Sequence, residues 1–519
     1  MKKLPLGIQT FKDIIEDEYL YIDKTKFIYN IANSGKYYFL SRPRRFGKSL
    51  TLSTLGSLFE GERELFKGLY IYDQPWDWKK WPILRFDFSI FSESFEPEVL
   101  ENNIAESIQS YANHYNISLT KKEYDKRFQE LLENLPDKAV ILIDEYDKPI
   151  LNYITDPVKA EKVKEILKGF YTAIKGSDAH VRFAFLTGVT KFAKISVFSG
   201  LNNLTDLTME SNYSDLCGYT EDELDYYFTD EFRIIAKEIK LSESELRGKI
   251  QEWYNGFRFS SKDIRVYNPI SLLLFVRNHE FKPYWFETGT PTFLTQLMKN
   301  EGFSPEQMEE LFCRDTDFST YEVDNLAALP ILFQSGYLTI RNYLPEEFIY
   351  VLGYPNREVK ASFLENLIKA FAPKDRGMVN SPVIRLQESL KKYDLDAFFE
   401  NLDILFAKVP YDIHLKYEKY WQSLFYMIFT LMGYYIEAEY KTSKGRIDAF
   451  INVDERVYLF EFKFTEKDDG IAKMAEAKKQ IKETDYAKRF MDCGKPVSLL
   501  PVVFEYKDER AVIEWEEIK

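Results

Sequence analysis

Three groups of residues in this chain could do chemistry. The first is Gly47-Lys48-Ser49. At the start of a helix this trio suits a polyphosphate: backbone N–H groups and the helix dipole favour an anion, Lys48 reaches the outer phosphates, and the Ser49 hydroxyl holds Mg²⁺. The second is Asp144-Glu145, which follows an apolar run. At the carboxyl end of a strand, Asp144 could bind Mg²⁺ through water, and Glu145 could orient or deprotonate an attacking water. The third is Asp448 with Glu461 and Lys463. In VYLFEFKF, side chains alternate, so Glu461 and Lys463 share one face while Phe460, Phe462 and Phe464 share the other. A hairpin could set Asp448 beside Glu461. Two close carboxylates repel unless a divalent cation lies between them, and Lys463 could then orient or deprotonate a water for attack on a phosphodiester.

Each group has a plainer reading. Gly-Lys-Ser also occurs by chance on basic turns, Asp144 and Glu145 could be surface acids after a core strand, and Glu461–Lys463 and Asp448–Arg446 could be solvated ion pairs. The surrounding elements decide how far the first two readings go. Tyr37–Leu40 predicts a buried strand, Pro43 and Gly47 a loop, and Lys48–Phe59 a helix. Strand, tight loop and helix is the setting a phosphate loop needs. Its usual first glycine is replaced by Arg42, and Arg42, Arg44 and Arg45 either contact phosphate or brace the loop. Val140–Ile143 predicts a strand buried on both faces. Val181–Thr190 predicts another, with Thr187 at its end either sensing a γ-phosphate or simply ending the strand. Strands alternating with helices over Tyr37–Thr190 predict a parallel sheet.

From Gly218 the pattern becomes helical. Thr220 and Glu223 predict a capping box, and Tyr267-Asn268-Pro269 precedes an apolar helix. The last hundred residues predict an amphipathic helix over Lys416–Met432 with Glu418 in its first turn. Strands follow over Tyr434–Thr442, Arg446–Val453 and Arg456–Phe464, then a helix over Ala472–Phe490 and a strand over Val497–Tyr506.

Lys and Arg total 69 against 83 Asp and Glu, a net charge of −14. That argues against a broadly basic coat for nucleic acid but leaves room for a local groove. Lys478, Lys479 and Lys482 could supply one, or form a solvated helix face with Glu476 and Glu483. Three separated cysteines and four histidines without ligand spacing argue against a disulfide framework and structural zinc. The first residues do not resemble a signal peptide, and Trp421–Ile436 is too short and interrupted to predict a membrane span. The expectation is a soluble, cytoplasmic protein without a membrane partner.

The stretches YIDKT (Tyr21–Thr25), SRPRRFGKSL, ILIDEYDKPI, LTGVTKFAKIS, YNPISLL, SGYLTI, GRIDAFI followed by EFKF, and QIKETDY together resemble a prokaryotic family. That family joins an AAA-ATPase-like P-loop domain to a C-terminal PD-(D/E)XK nuclease-like domain. The resemblance covers nearly the whole chain, and Arg42 is normal for that family. It implies an α/β fold: an N-terminal P-loop NTPase parallel sheet (1–205), a helical lid or winged-helix-like middle (206–375), and a C-terminal α/β restriction-endonuclease-like domain (376–519). For the first site it implies Lys48 and Ser49 at phosphate and Asp144 and Glu145 in the Mg²⁺ and water roles; Arg44, Arg45, Gly47 and Thr187 join them as nucleotide-site candidates from their places in the loop and at the strand end. For the second it implies Asp448 and Glu461 as metal ligands, Lys463 as catalytic lysine and Glu418 as a helix acid near the metal; Gln480 and Tyr486 also fit. The implied cofactors are ATP and Mg²⁺, with Mn²⁺ as a substitute. The implied partner is nucleic acid, DNA ahead of RNA, with a homo-oligomer left open. Two functions fit: an ATP-controlled, metal-dependent nuclease, or a nucleotide-gated binding or signalling module that does not cut.

Overall fold

The computed structural model describes residues 2–90, 96–153, 156–190, 203–285, 308–318, 328–371, 380–406, 426–428, 436–442, 445–453, 456–465, 469–483, 495–507 and 510–518. The chain forms two compact units. One comprises Met1–Leu297 with Glu310–Val359, the other Met298–Glu309 with Lys360–Lys519.

The first unit is built on five parallel strands: β1 (Tyr37–Ser41), β2 (Ile83–Asp87), β3 (Ala139–Asp144), β4 (Val181–Gly188) and β5 (Thr205–Asp206). Their spatial order is β2-β3-β4-β1-β5. The apolar runs in β1, β3 and β4 are buried almost throughout, as expected of strands covered on both faces. Helices Pro97–His114, Tyr124–Asn134 and Pro157–Gly176 cover one face, where Ile104, Phe128, Leu167 and Phe170 pack on Phe86, Ile141 and Ile143. The order has a consequence for chemistry. The strand leading into the phosphate loop, β1, and the strand ending in Asp144, β3, are not neighbours. The strand ending near Thr187, β4, lies between them.

Helix α1 (Lys48–Phe59) follows the loop. Residues 206–297 and 310–359 belong to this same unit. Helix α2 (Glu221–Glu238) starts with the capping box expected at Thr220 and Glu223. Helix α3 (Pro269–Asn278) is capped by Asn268, which accepts from Ser271 N at 3.1 Å. A second core joins them through Leu224, Phe228, Tyr254, Leu272 and Phe275, with Leu20 and Ile22 from the start of the chain. A small antiparallel sheet, β6 (Leu311–Cys313), β7 (Thr339–Leu344) and β8 (Ile349–Gly353), completes the unit in the order β6-β8-β7. Helix α4 (Arg357–Phe371) carries the chain out of it.

The second unit contains β9 (Ile436–Thr442), β10 (Gly445–Val453), β11 (Arg456–Thr465), β12 (Val497–Lys507) and β13 (Arg510–Trp515), ordered β13-β12-β11-β10-β9. Only the β11–β12 pair is parallel, and α6 (Gly470–Glu483) is the crossover between them; α5 (Leu395–Phe406) precedes the sheet. Phe460 packs near Phe398 of α5 and beside Phe462. The expected strands agree with β9–β12 to within two residues, whereas β13 was not foreseen, because RAVIEW is short and only half alternating. The expected helix Lys416–Met432 lies outside the described residues except at 426–428. No described helix is long and apolar enough to cross a membrane.

Candidate active sites

The phosphate loop is shaped by two backbone positions and four captured carbonyls. Gly47 has φ +93° and caps α1. A Cβ there would meet nothing within 4 Å, so the backbone angle, not space, calls for glycine. Arg45 is also left-handed, at φ +66°. Arg42 Nη1 donates to Ser41 O at 2.9 Å. Lys48 Nζ donates to Arg42 O at 2.9 Å and Pro43 O at 3.1 Å. Trp285 Nε1 donates to Arg44 O at 3.2 Å. Carbonyls held by side-chain donors leave the concave side of such a loop to N–H groups, the polarity an anion needs.

Arg42 is 1% exposed. Its guanidinium also donates to Thr208 O at 2.7 Å and Tyr213 O at 3.0 Å, and faces the Phe259 ring at 4.3 Å. Of the two roles open to the loop arginines, Arg42 takes the bracing one. Arg44 and Arg45 instead line a cavity of about 490 Å³ together with Gly47, Lys48, Ser49 and Glu145. Apolar walls come from Ile22, Ile28, Leu216, Tyr219, Ile270 and Leu273. Two liners, Lys148 and Cys217, were missed from sequence. Lys148 follows Asp144 by one helical turn's spacing and could have been noticed; Cys217 carried no local signal.

Lys48 is buried, and that desolvation pulls its ammonium pKa down against the opposing pull of Asp144, Glu145 and Asp147. Burial pushes the Glu145 carboxyl up, and its backbone sits at φ +48°. The Asp144 Oδ1 accepts from the Thr187 hydroxyl and from Glu145 N, the latter at 3.1 Å. Tyr146 N donates to Thr187 O at 3.0 Å. Asp147, absent from the sequence reading, accepts from Val189 N at 3.0 Å and from Thr190 N and Oγ1, each at 2.6 Å. The acid loop after β3 and the end of β4 are thus one bonded assembly, with Thr187 directly on Asp144.

In the second unit Glu461 is 0% and Lys463 8% exposed, and Lys463 Nζ lies 3.0 Å from Glu461 Oε1. A solvated surface pair does not describe them. Ala449 of β10 pairs with Phe460 of β11, and Asp448 and Glu461 are the next positions of the two strands beyond that pair. The parallel register with β12 sets Thr465 across from Glu505, a buried acid that sequence reasoning passed over. On α6, Lys473 holds the Glu476 carboxyl below its usual range, with a further contribution from Lys463. Gln480 is half-buried on the same helix. Lys478 is paired with Glu516 at 2.5 Å, which removes one cation from the expected basic face. Glu418 and Tyr486 lie outside the described residues. Among the described residues no three His, Cys, Asp or Glu side chains form a metal-binding group.

Comparison with known proteins fits this division. Residues 5–198 match the family model described as predicted AAA-ATPase, and residues 416–515 match that of the PD-(D/E)XK nuclease superfamily. The chain is 40% identical, over 99% of its length and 98% of the relative's, to a protein of Azotobacter chroococcum mcd 1 described as an uncharacterized protein in the vnfD 5′ region. Among solved structures, the ORC1 protein of Aeropyrum pernix in complex with DNA matches with a TM-score of 0.26 and 11% identity, over 66% of this chain and 91% of that one. The expected α/β fold class holds.

Proposed function

We propose, from the premise that this chain belongs to the predicted AAA-ATPase family with a C-terminal PD-(D/E)XK nuclease-superfamily domain, that ATP binding and hydrolysis control metal-dependent cleavage of nucleic acid. In the first site, loop amides, Arg44, Arg45 and Lys48 hold the phosphates. Ser49 and Asp144 are the residues that would hold Mg²⁺, and Glu145 orients the attacking water. Thr187, bonded to Asp144, reports on the γ-phosphate. The fit to Mg²⁺ rests on the half-buried Asp144 and Glu145 and the buried Asp147, all acting on Lys48.

In the second site, Asp448 and Glu461 would hold Mg²⁺, with Mn²⁺ as a substitute, and Lys463 positions or deprotonates water for phosphodiester attack. A bound divalent ion supplies charge neutralisation at the phosphate. The carrying observation is the Glu461–Lys463 pair buried in the middle of a strand, with Asp448 on the neighbouring strand. Such a pair is costly unless it is used. The second reading, a nucleotide-gated module that binds without cutting, is favoured by one feature: Lys463 is already committed to Glu461 at 3.0 Å.

The test is a cleavage assay on labelled single- and double-stranded DNA and RNA, with Mg²⁺ or Mn²⁺, with and without ATP. Nicking by the full chain, DNA ahead of RNA, lost in Asp448→Asn and Lys463→Ala and altered in Lys48→Ala, is the expected result. Binding without nicking in any condition selects the second reading.

A further inference from the structure

The phosphate loop is held from outside by residues that no motif singles out. Trp285 donates its indole N–H to Arg44 O at 3.2 Å, and its ring packs by Tyr337 and Phe257, with centroids 5.4 and 6.3 Å away. The backbone N–H of Trp285 donates in turn to Glu358 Oε1 at 2.8 Å. The same oxygen accepts from the Ser271 hydroxyl at 3.0 Å. Ser271 lies in the first turn of α3, whose Ile270 and Leu273 wall the cavity. Glu358 is 0% exposed, and its Oε2 has no hydrogen-bond partner among the described residues. One buried carboxyl therefore fixes two walls of the cavity: an apolar helix, and the carbonyl of a loop arginine. Glu358 also stands in the first turn of α4, the helix in which the chain leaves the first unit after Val359.

We infer that Glu358 and Trp285 are positioning residues for the nucleotide: through Trp285 they keep the Arg44 carbonyl turned out of the cavity, so that the loop presents N–H groups to phosphate. A carbonyl released into the cavity would face the phosphate oxygens and repel them. This inference rests on the nucleotide reading of the cavity, and Lys48→Ala tests that reading separately.

The experiment uses the full chain and four variants: Trp285→Phe, Glu358→Ala, Glu358→Gln and Lys48→Ala, each checked for native circular dichroism. Two quantities are measured. One is hydrogen–deuterium exchange of the peptide spanning residues 41–50, in buffer without nucleotide. The other is affinity for a fluorescent ATP analogue with Mg²⁺, alongside kcat and KM for ATP hydrolysis. Trp285→Phe keeps the ring and loses the donor. It is expected to speed exchange in residues 41–50 and to weaken binding about three- to tenfold, the worth of one neutral hydrogen bond. KM rises with it and kcat stays within about twofold, the split expected for lost ground-state binding. Glu358→Ala behaves the same way. Glu358→Gln, which keeps the accepting oxygen, restores both readouts to near wild type. Unchanged loop exchange in Trp285→Phe, or a Glu358→Gln as impaired as Glu358→Ala, overturns the inference. If loop exchange responds as expected but neither wild type nor Lys48→Ala binds the analogue, the nucleotide reading fails, and with it the inferred role toward nucleotide.

Discussion

The two sites carry charge in opposite ways. In the first unit the charged groups stand at strand ends and in a loop, bordering a cavity, and backbone carbonyl acceptors and neighbouring acids share the work of holding Lys48. In the second, Glu461 and Lys463 stand mid-strand in a sheet, buried, 3.0 Å apart. A loop site can tune each charge through groups that move with the loop; a mid-strand site holds its charges where the ladder points them, so the loss of either is felt by the other. Removing one charge should therefore cost binding in the first unit and folding in the second.

The largest expected effect tests the second half of that contrast. Lys463→Met leaves Glu461 buried without its cation and should lower stability by about 3–5 kcal/mol in guanidinium denaturation. The double variant Glu461→Gln/Lys463→Met should cost less than the sum of the single changes. Additive costs would mean that the two charges do not balance one another. Next comes Lys48→Ala, which should weaken a nucleotide roughly ten- to hundredfold, the worth of about 1.5–3 kcal/mol for a hydrogen bond to a charged group, with little loss of fold by circular dichroism. Unfolding instead would erase the contrast.

Smaller effects sharpen it. Burial pushes the Glu358 carboxyl up to about 8, with no charged neighbour among the causes. The unfolded chain releases that proton near about 4.3. Between those values unfolding releases a proton, so stability falls as pH rises through the window. Glu358→Gln should flatten that fall in denaturation curves taken from about pH 5 to about pH 8. The smallest effect is Gly47→Ala. With open space around the would-be Cβ, the cost is the left-handed backbone alone, about 1–2 kcal/mol, read as a drop in thermal midpoint.

Legibility from sequence followed the range of each signal. Strand, loop and helix around Lys48, the apolar run before Asp144 and the alternation around Glu461 are each encoded in one continuous stretch of sequence. The bracing of Arg42 by Thr208 and Tyr213 spans more than a hundred and sixty positions, and Trp285 reaches Arg44 across 241; no local pattern carries such pairings. Asp147 was hidden for another reason. It looks like one more acid in DEYDK, and only its three bonds to residues 189 and 190 distinguish it from a surface group. Glu505 was passed over because its meaning depends on the parallel register with β11, which alternation cannot reveal.

That register bears on the order in which the second unit assembles. Strands β10 and β11 follow one another in sequence and pair antiparallel, so they can meet early, while Glu461 and Lys463 are still wetted. Strand β12 must wait for α6 to fold back across the sheet, a slower closure because the paired residues are some forty positions apart. Water is stripped from Glu461 and Lys463 only at that late docking, so changes to this pair should chiefly speed unfolding and leave the refolding rate near its original value.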